Sequence, residues 1–276
     1  MDQVNLEVFS AATRRHRVAI AVDDLVEGLK RWELWSTLGW NDIRQRYRRS
    51  FIGPFWITLS MGMMVAGLAY LYAGLFGQNI QTYLPYVATG IIIFGLIQTM
   101  FNDGANVFIS ASSHILQLKA PLSVYIYQMV WRNLLTFFHN ITIYVVVVLF
   151  TEVHLGWNLV LAALGMLLVM LSGVSIAMML GTLSARFRDV PPIVASLLQV
   201  AFFMTPVFWL PNAIPGRQSF IDLNPFYYLL EIVRMPLLGQ TPPLSAWLVT
   251  IGLNVVGFVV GLLFFARYRE RVAYWV

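Results

Sequence analysis

Long apolar stretches dominate this chain, and the polar positions fall in short blocks between them. No charged residue occurs from residue 50 to residue 102. A helix needs ~20 residues to cross bilayer hydrocarbon, so that run is too long for one crossing. It breaks at Gly77-Gln78-Asn79, which predicts spans over about 54–76 and 83–101. Further apolar runs predict spans over about 122–150, 159–184, 191–210 and 244–266, the fifth opening on Pro191-Pro192. The expected fold is all-α: a polytopic membrane protein with six transmembrane helices.

Two segments do not fit that simple pattern. Residues 211–243 contain Asn224-Pro225-Phe226-Tyr227-Tyr228-Leu229-Leu230, then Glu231, Arg234, Pro236 and Gly239. The segment is apolar but interrupted, and too short for two crossings. It reads as a re-entrant or interfacial helical hairpin on the outer face, opened by Asn224 and Pro225, with an ordinary surface loop as the plainer alternative. Residues 31–50 show a different mixture. At helical spacing Trp32, Trp35, Ile43 and Tyr47 share one arc, while Glu33, Thr37, Asn41, Arg44 and Arg48 share the opposite one. Arg46 falls on the apolar side. An aromatic face with a basic face, closed by Arg49, suits an amphipathic helix lying in the membrane interface. The alternative is a soluble helix whose arginines only set topology. Pro54 then fits the first turn of the first span. The expected organisation is an N-terminal segment (1–30), the interface helix (31–50), a transmembrane domain (51–266) and a charged tail (267–276).

Composition agrees with lipid as the solvent. The chain is 59% hydrophobic and 11% charged, against ~25% charged in soluble domains. It has no cysteine, so disulfide and thiolate chemistry are excluded. The net charge is +5, but the Lys and Arg residues cluster at 14–17, 30–31, 44–49, 186–188 and 267–271, each cluster beside an apolar segment. That is a topology signal rather than a nucleic-acid footprint. The N-terminal segment, the 102–121 and 185–190 loops and the tail share one face. Only Arg217 and Arg234 are basic on the other. Both termini are therefore expected to be cytoplasmic. The first 30 residues are polar and carry no signal-peptide core.

The chain has no means of powering itself. Its only lysines, Lys30 and Lys119, do not follow a glycine, so no P-loop exists. An ion-driven carrier usually places acids inside the membrane. Here Asp103 and Glu152 stand at span ends and Glu231 in the outer hairpin. A passive pore and a pump driven by a separate motor both remain open. A membrane-embedded enzyme would need clustered acids, a metal set or an activated nucleophile. The histidines (His16, His114, His139, His154) are scattered, and no metal site is expected. Span three does carry a polar stripe of Tyr125, Gln128, Arg132, Thr136 and His139. Lipid would be a costly neighbour for Arg132, so this face is expected to meet protein or water. Aromatics are frequent: Tyr70, Tyr72, Phe76, Tyr83, Tyr86, Phe94, Phe202, Phe203, Phe208 and Trp209. They offer flat weakly polar faces for a sliding ligand, or else an interfacial belt and helix packing.

The string from Asn41 through Arg44-Gln45-Arg46-Tyr47-Arg48-Arg49-Ser50 to Gly53-Pro54-Phe55-Trp56 resembles the segment leading into the first span of ABC-2 type permeases. Within them it is similar to the branch that exports O-antigen, capsule and teichoic acid chains. The resemblance covers nearly the whole chain. Arg186-Phe187-Arg188-Asp189 matches the short charged cytoplasmic turn between spans four and five, and Asp222-Leu223-Asn224-Pro225-Phe226 the opening of the outer hairpin. The final Tyr274-Trp275-Val276 departs from the family's Phe/Ala-Asp ending. The resemblance implies a permease subunit of an ATP-driven exporter, moving lipid-linked polysaccharide across the cytoplasmic (inner) membrane. It implies no cofactor on this chain and no catalytic site. ATP and magnesium belong to a separate ATPase subunit, in an assembly of two permeases and two ATPases. His114, Gln117, Lys119, Arg186, Arg188 and Asp189 are then candidates for coupling to the ATPase, although topology alone accounts for such arginines. Tyr70, Phe94, Gln128, Arg132, His139, Phe202 and Phe203 are candidates for the substrate path. Arg132 suits a substrate phosphate, pairing with Asp103 or snorkelling to the interface. Export of teichoic acid, a drug or a small lipid would use the same architecture.

Overall fold

Prolines, glycines and short polar blocks set where the helices stop. The computed structural model describes residues 3–46, 48, 55–211 and 218–276, and the regular elements among them are helices. Five are long and apolar enough to cross a membrane: α3 (Phe55–Leu75), α4 (Ile80–Ser110), α6 (Ser123–Leu149), α7 (Asn158–Ile176, continued to Arg186) and α12 (Leu244–Trp275). The remaining helices are α1 (Gln3–Lys30), α2 (Trp32–Arg46), α5 (Ser112–Gln117), α8 (Thr182–Arg186), α9 (Val190–Met204), α10 (Gln218–Asp222) and α11 (Pro225–Leu237). With five apolar helices of spanning length, the chain is a multi-pass membrane protein.

The predicted fifth span differs from its expectation. Helix α9 has 15 residues, a rise of ~22 Å against the ~30 Å of hydrocarbon. Pro206 ends it early. A proline disfavours helical backbone in the residue before it, and Thr205 is extended (φ −92°, ψ 139°). Residues 205–209 are therefore irregular where the hydropathy run predicts helix to 210. Other boundaries run longer than predicted. Helix α4 continues through 102–110, α12 continues through the charged tail, and residues 3–30 form α1. Tyr47, Arg49 and Pro54 of the predicted interface segment, and the Arg46 side chain, lie outside the described residues.

Helix α4 is the central post. Two-thirds (67%) of its apolar stretch is buried, against 17% for α3, and α3, α6, α7, α9 and α11 all pack on it. Its start is capped by Asn79, whose side chain accepts the Gln81 N–H at 2.9 Å. Along α7 the helix widens into a π turn, Ala177–Gly181, before α8 resumes. That turn lies against α4 where Gly104 approaches the Ala177 backbone. The bundle has two ends. The near end holds the C terminus, the starts of α6 and α9 and the ends of α4 and α8. The far end holds the starts of α4, α7 and α12 and the ends of α6 and α11.

Candidate functional site

At the near end three helices meet on one carboxylate. Helix α6 begins at Ser123, and Leu122 at its cap position has no side chain able to accept the free N–H groups. Asp24 of α1 supplies the acceptor instead. Its carboxylate takes the N–H of Ser123 at 3.0 Å and of Leu122 at 3.3 Å. Arg269 of α12 binds the same carboxylate at 2.8 Å and also donates to the Ile20 carbonyl at 2.8 Å. The Ser123 hydroxyl returns a bond to the Asp24 carbonyl at 2.6 Å. Asp24 is only 4% exposed, so α1, α6 and α12 are joined through a buried, fully partnered acid.

A second junction involves the polar stripe of α6. Arg132 binds Asp42 of α2 and Asp103 of α4, each at 2.9 Å. Gln128 donates to the same Asp42 oxygen at 2.9 Å. Thr136 bonds back to the Arg132 carbonyl, and the half-buried His139 points Nδ1 at the Leu135 carbonyl. Tyr125 is buried and belongs to the core. The stripe thus meets protein at Gln128 and Arg132. Helix α2 lies along α6, with Trp35 packed on Tyr127 and Trp131 and Ile43 buried. Trp32 is 60% exposed, and Arg44 and Arg48 face outward.

The coupling candidates are all exposed on the near end's surface. His114, Gln117 and Lys119 are exposed on and just after α5, and Arg186, Arg188 and Asp189 are exposed at the α8–α9 turn. That turn touches the chain terminus. The Arg186 guanidinium lies 5.5 Å from the Trp275 ring, and Arg188 donates to the Trp275 carbonyl at 3.1 Å.

At the far end backbone carbonyls take the place of carboxylates. The carbonyls of the irregular residues 206, 208 and 209 accept no helical N–H among the described residues, and the segment is buried, with Thr205 and Val207 fully so. Such backbone needs donors from elsewhere. Tyr83 donates to the Phe208 carbonyl, and the Tyr86 hydroxyl lies 3.1 Å from the Pro206 carbonyl and 3.0 Å from the Trp209 carbonyl. Arg234 of α11 donates to the Pro206 carbonyl at 2.6 Å. Gly90 permits this approach, since a Cβ there would sit 2.0 Å from the Val207 oxygen. Arg234 is 1% exposed, forms an ion pair with Glu231 one turn earlier, and lies 4.1 Å over the Tyr86 ring. Asn224 caps α11 by accepting the Phe226 N–H at 3.0 Å and donates to the Thr205 hydroxyl at 2.9 Å. Pro225 follows at the first helical position.

The aromatic candidates separate by exposure. Tyr70 is 80% and Phe203 60% exposed on the outside of the bundle, whereas Phe94 is fully buried between Phe202 and Phe226. Sequence reading missed three partners that matter here: Asp24, Asp42 and the Glu231–Arg234 pair. The last left a signal, two opposite charges three residues apart in an otherwise apolar helix.

The profile of a family described as "ABC-2 type transporter" matches residues 33–238. The chain is 24% identical over 192 residues to an O-antigen export system permease protein, RfbA, of Myxococcus xanthus, covering 68% of this chain and 74% of that one. It is also 24% identical over 238 residues to an O-antigen export system permease protein, RfbA, of Klebsiella pneumoniae, covering 84% and 90%. The family match takes in α2 through α11, the Arg132 junction and the capped 205–209 segment, and the chain belongs to the ABC-2 type transporter family.

Proposed function

We propose that this chain is the permease subunit of an ATP-driven exporter of lipid-linked polysaccharide. The observation that carries the reading is the state of its embedded charges. Among the described residues, Arg132 is held by Asp42 and Asp103, and Arg234 by Glu231. Within the five long apolar helices the one other acid, Glu270, is exposed in the charged end of α12, so no buried free acid is left there to bind a coupling ion. Without a P-loop, the work comes from a separate ATPase carrying ATP and magnesium. Two permease copies and two ATPases form the assembly, in the cytoplasmic (inner) membrane. The two relatives named for O-antigen export support the substrate class.

In this reading the near end is cytoplasmic and carries both termini. His114, Gln117, Lys119, Arg186, Arg188 and Asp189 transmit ATPase closure. Helix α2 rides at the interface, with Trp32, Arg44 and Arg48 turned outward. Helix α9 completes a sixth crossing with the irregular residues that follow it. The hairpin expected over 211–243, of which 212–217 lie outside the described residues, re-enters the far leaflet: Phe226 packs on Phe94 and Phe101 inside the bundle, while Gly239 meets Asn158 at the far end. Tyr70, Phe94, Gln128, Arg132, His139, Phe202 and Phe203 lie along or behind the path. Deleting the gene is expected to remove surface polysaccharide and accumulate lipid-linked chains inside the cell. Normal surface polysaccharide with no intracellular accumulation would refute the reading.

A further inference from the structure

A pocket of about 450 Å³ with a polar rim and a partly apolar lining opens at the far end, within the ~300–1,000 Å³ range of small-ligand sites. Its rim comes from three separate connections: Gln81 at the start of α4, Glu152 and His154 between α6 and α7, and Gln240 between α11 and α12. Tyr86 lines its deeper part. All four rim side chains are exposed, and those of Gln81, Glu152 and Gln240 make no hydrogen bond or ion pair among the described residues.

The rim is nevertheless held in place. Gly239 adopts φ +78°, a conformation natural to glycine, and its carbonyl accepts from Asn158 at 2.7 Å. A Cβ at Gly239 would lie 2.8 Å from the His154 carbonyl, so the two connections that carry Gln240 and His154 are pressed together. Tyr86 is fixed by the Pro206 and Trp209 carbonyls and by Arg234.

The chemistry of the rim selects a ligand class. No Lys or Arg lines the pocket and Glu152 does, so an anion is disfavoured. One carboxylate and one imidazole fall short of the three or more protein ligands usual for a metal. The amides each donate and accept, the carboxylate accepts from neighbouring hydroxyls, and imidazole does either. We propose that this pocket is a weak subsite for the uncharged sugar units of a glycan as it leaves the transporter. The proposal rests on the export reading and names where the chain is held. Each bond to sugar replaces one to water, so the site binds loosely, as passage requires.

The test uses the full chain in lipid nanodiscs, where both ends meet solvent. Because the chain has no cysteine, Gln81→Cys and Gln240→Cys each place a single thiol on the rim. Trp157→Cys places one at a 91% exposed site on the same end, outside the pocket lining. The probe is the host strain's own surface polysaccharide, freed from lipid by mild acid. At about twice its dissociation constant it is expected to slow maleimide labelling of both rim thiols about threefold, and to leave Trp157→Cys unchanged. Adding Glu152→Gln and His154→Ala to Gln81→Cys is expected to abolish that protection. Unchanged rim labelling, protection that survives those two changes, or equal protection by polyethylene glycol would each overturn the subsite. The gene-deletion experiment reads export alone. Loss of export on deletion with no rim protection sinks the pocket and leaves the export reading standing.

Discussion

Two arginines stand inside the helical bundle, and they are held in opposite ways. Arg234 takes its counter-charge from Glu231 on its own helix and adds the Pro206 carbonyl and the Tyr86 ring of α4, with its side chain 1% exposed. Arg132 takes its partners from two other helices, and its side chain and both carboxylates keep partial access to water at 18% and 32%. The first arrangement closes a piece of irregular backbone and has no hydrated alternative. The second joins three helices through contacts that water can replace. The Arg234 site is thus built to stay as it is, while the Arg132 junction is joined by exchangeable links.

The largest effect should come from breaking the dry site. Arg234→Met leaves the Glu231 carboxylate buried without a counter-charge, and is expected to cost about 3–5 kcal/mol in unfolding stability. The double change Glu231→Leu with Arg234→Met should recover most of that, because an apolar pair of similar volume removes both charges. Thermal unfolding in detergent reads both. A single change as mild as that at Arg132 would erase the contrast drawn above.

Arg132→Met should rank second, at about 1–2 kcal/mol, since water can reach the two carboxylates it abandons. Arg132→Lys should recover part of the loss but not all, because a single ammonium cannot span both acids with the fixed fork of a guanidinium. The same unfolding assay separates them. A loss at Arg132 matching that at Arg234 would mean that the near-end junction is as rigid as the far one.

The smallest effect is expected at Trp275. Trp275→Ala removes a partly buried ring that packs on Tyr268 and the edge of the core and touches Arg186, for about 1 kcal/mol. Its consequence should be local: faster amide exchange over residues 186–189, with α6 and α11 unchanged. Uniform exchange across the near end would instead make the terminus part of the main support.

Much of this architecture was legible in the order of residues. Charge-free runs located the long helices, because lipid leaves few alternatives to apolar helix. Asn224-Pro225 marked the start of α11, because a capping amide followed by proline suits a helix start. What escaped notice were pairings between distant segments. Nothing near Asp24 signals that it caps a helix 98 residues later. Asp42 was read as part of a basic string rather than as the partner of Arg132. The hydropathy run through 205–210 hid a helix end, since Thr205-Pro206-Val207-Phe208 is apolar enough to suggest continuity. Pro206 breaks the helix there, and tyrosines and an arginine from other helices supply the missing donors.

The π turn in α7 has a consequence for how this helix tolerates change in length. Such a turn holds one residue more than an α turn. A regular helical count carried across 177–181 therefore places Arg186 about 100° away from the face it occupies. Removing one residue within that turn leaves an uninterrupted α-helix that presents Arg186, and starts the turn carrying Arg188, on the same side as before. Removing one between residues 158 and 170 rotates them away by that same angle. The helix can lose a residue at one place without redirecting the charged turn at its end.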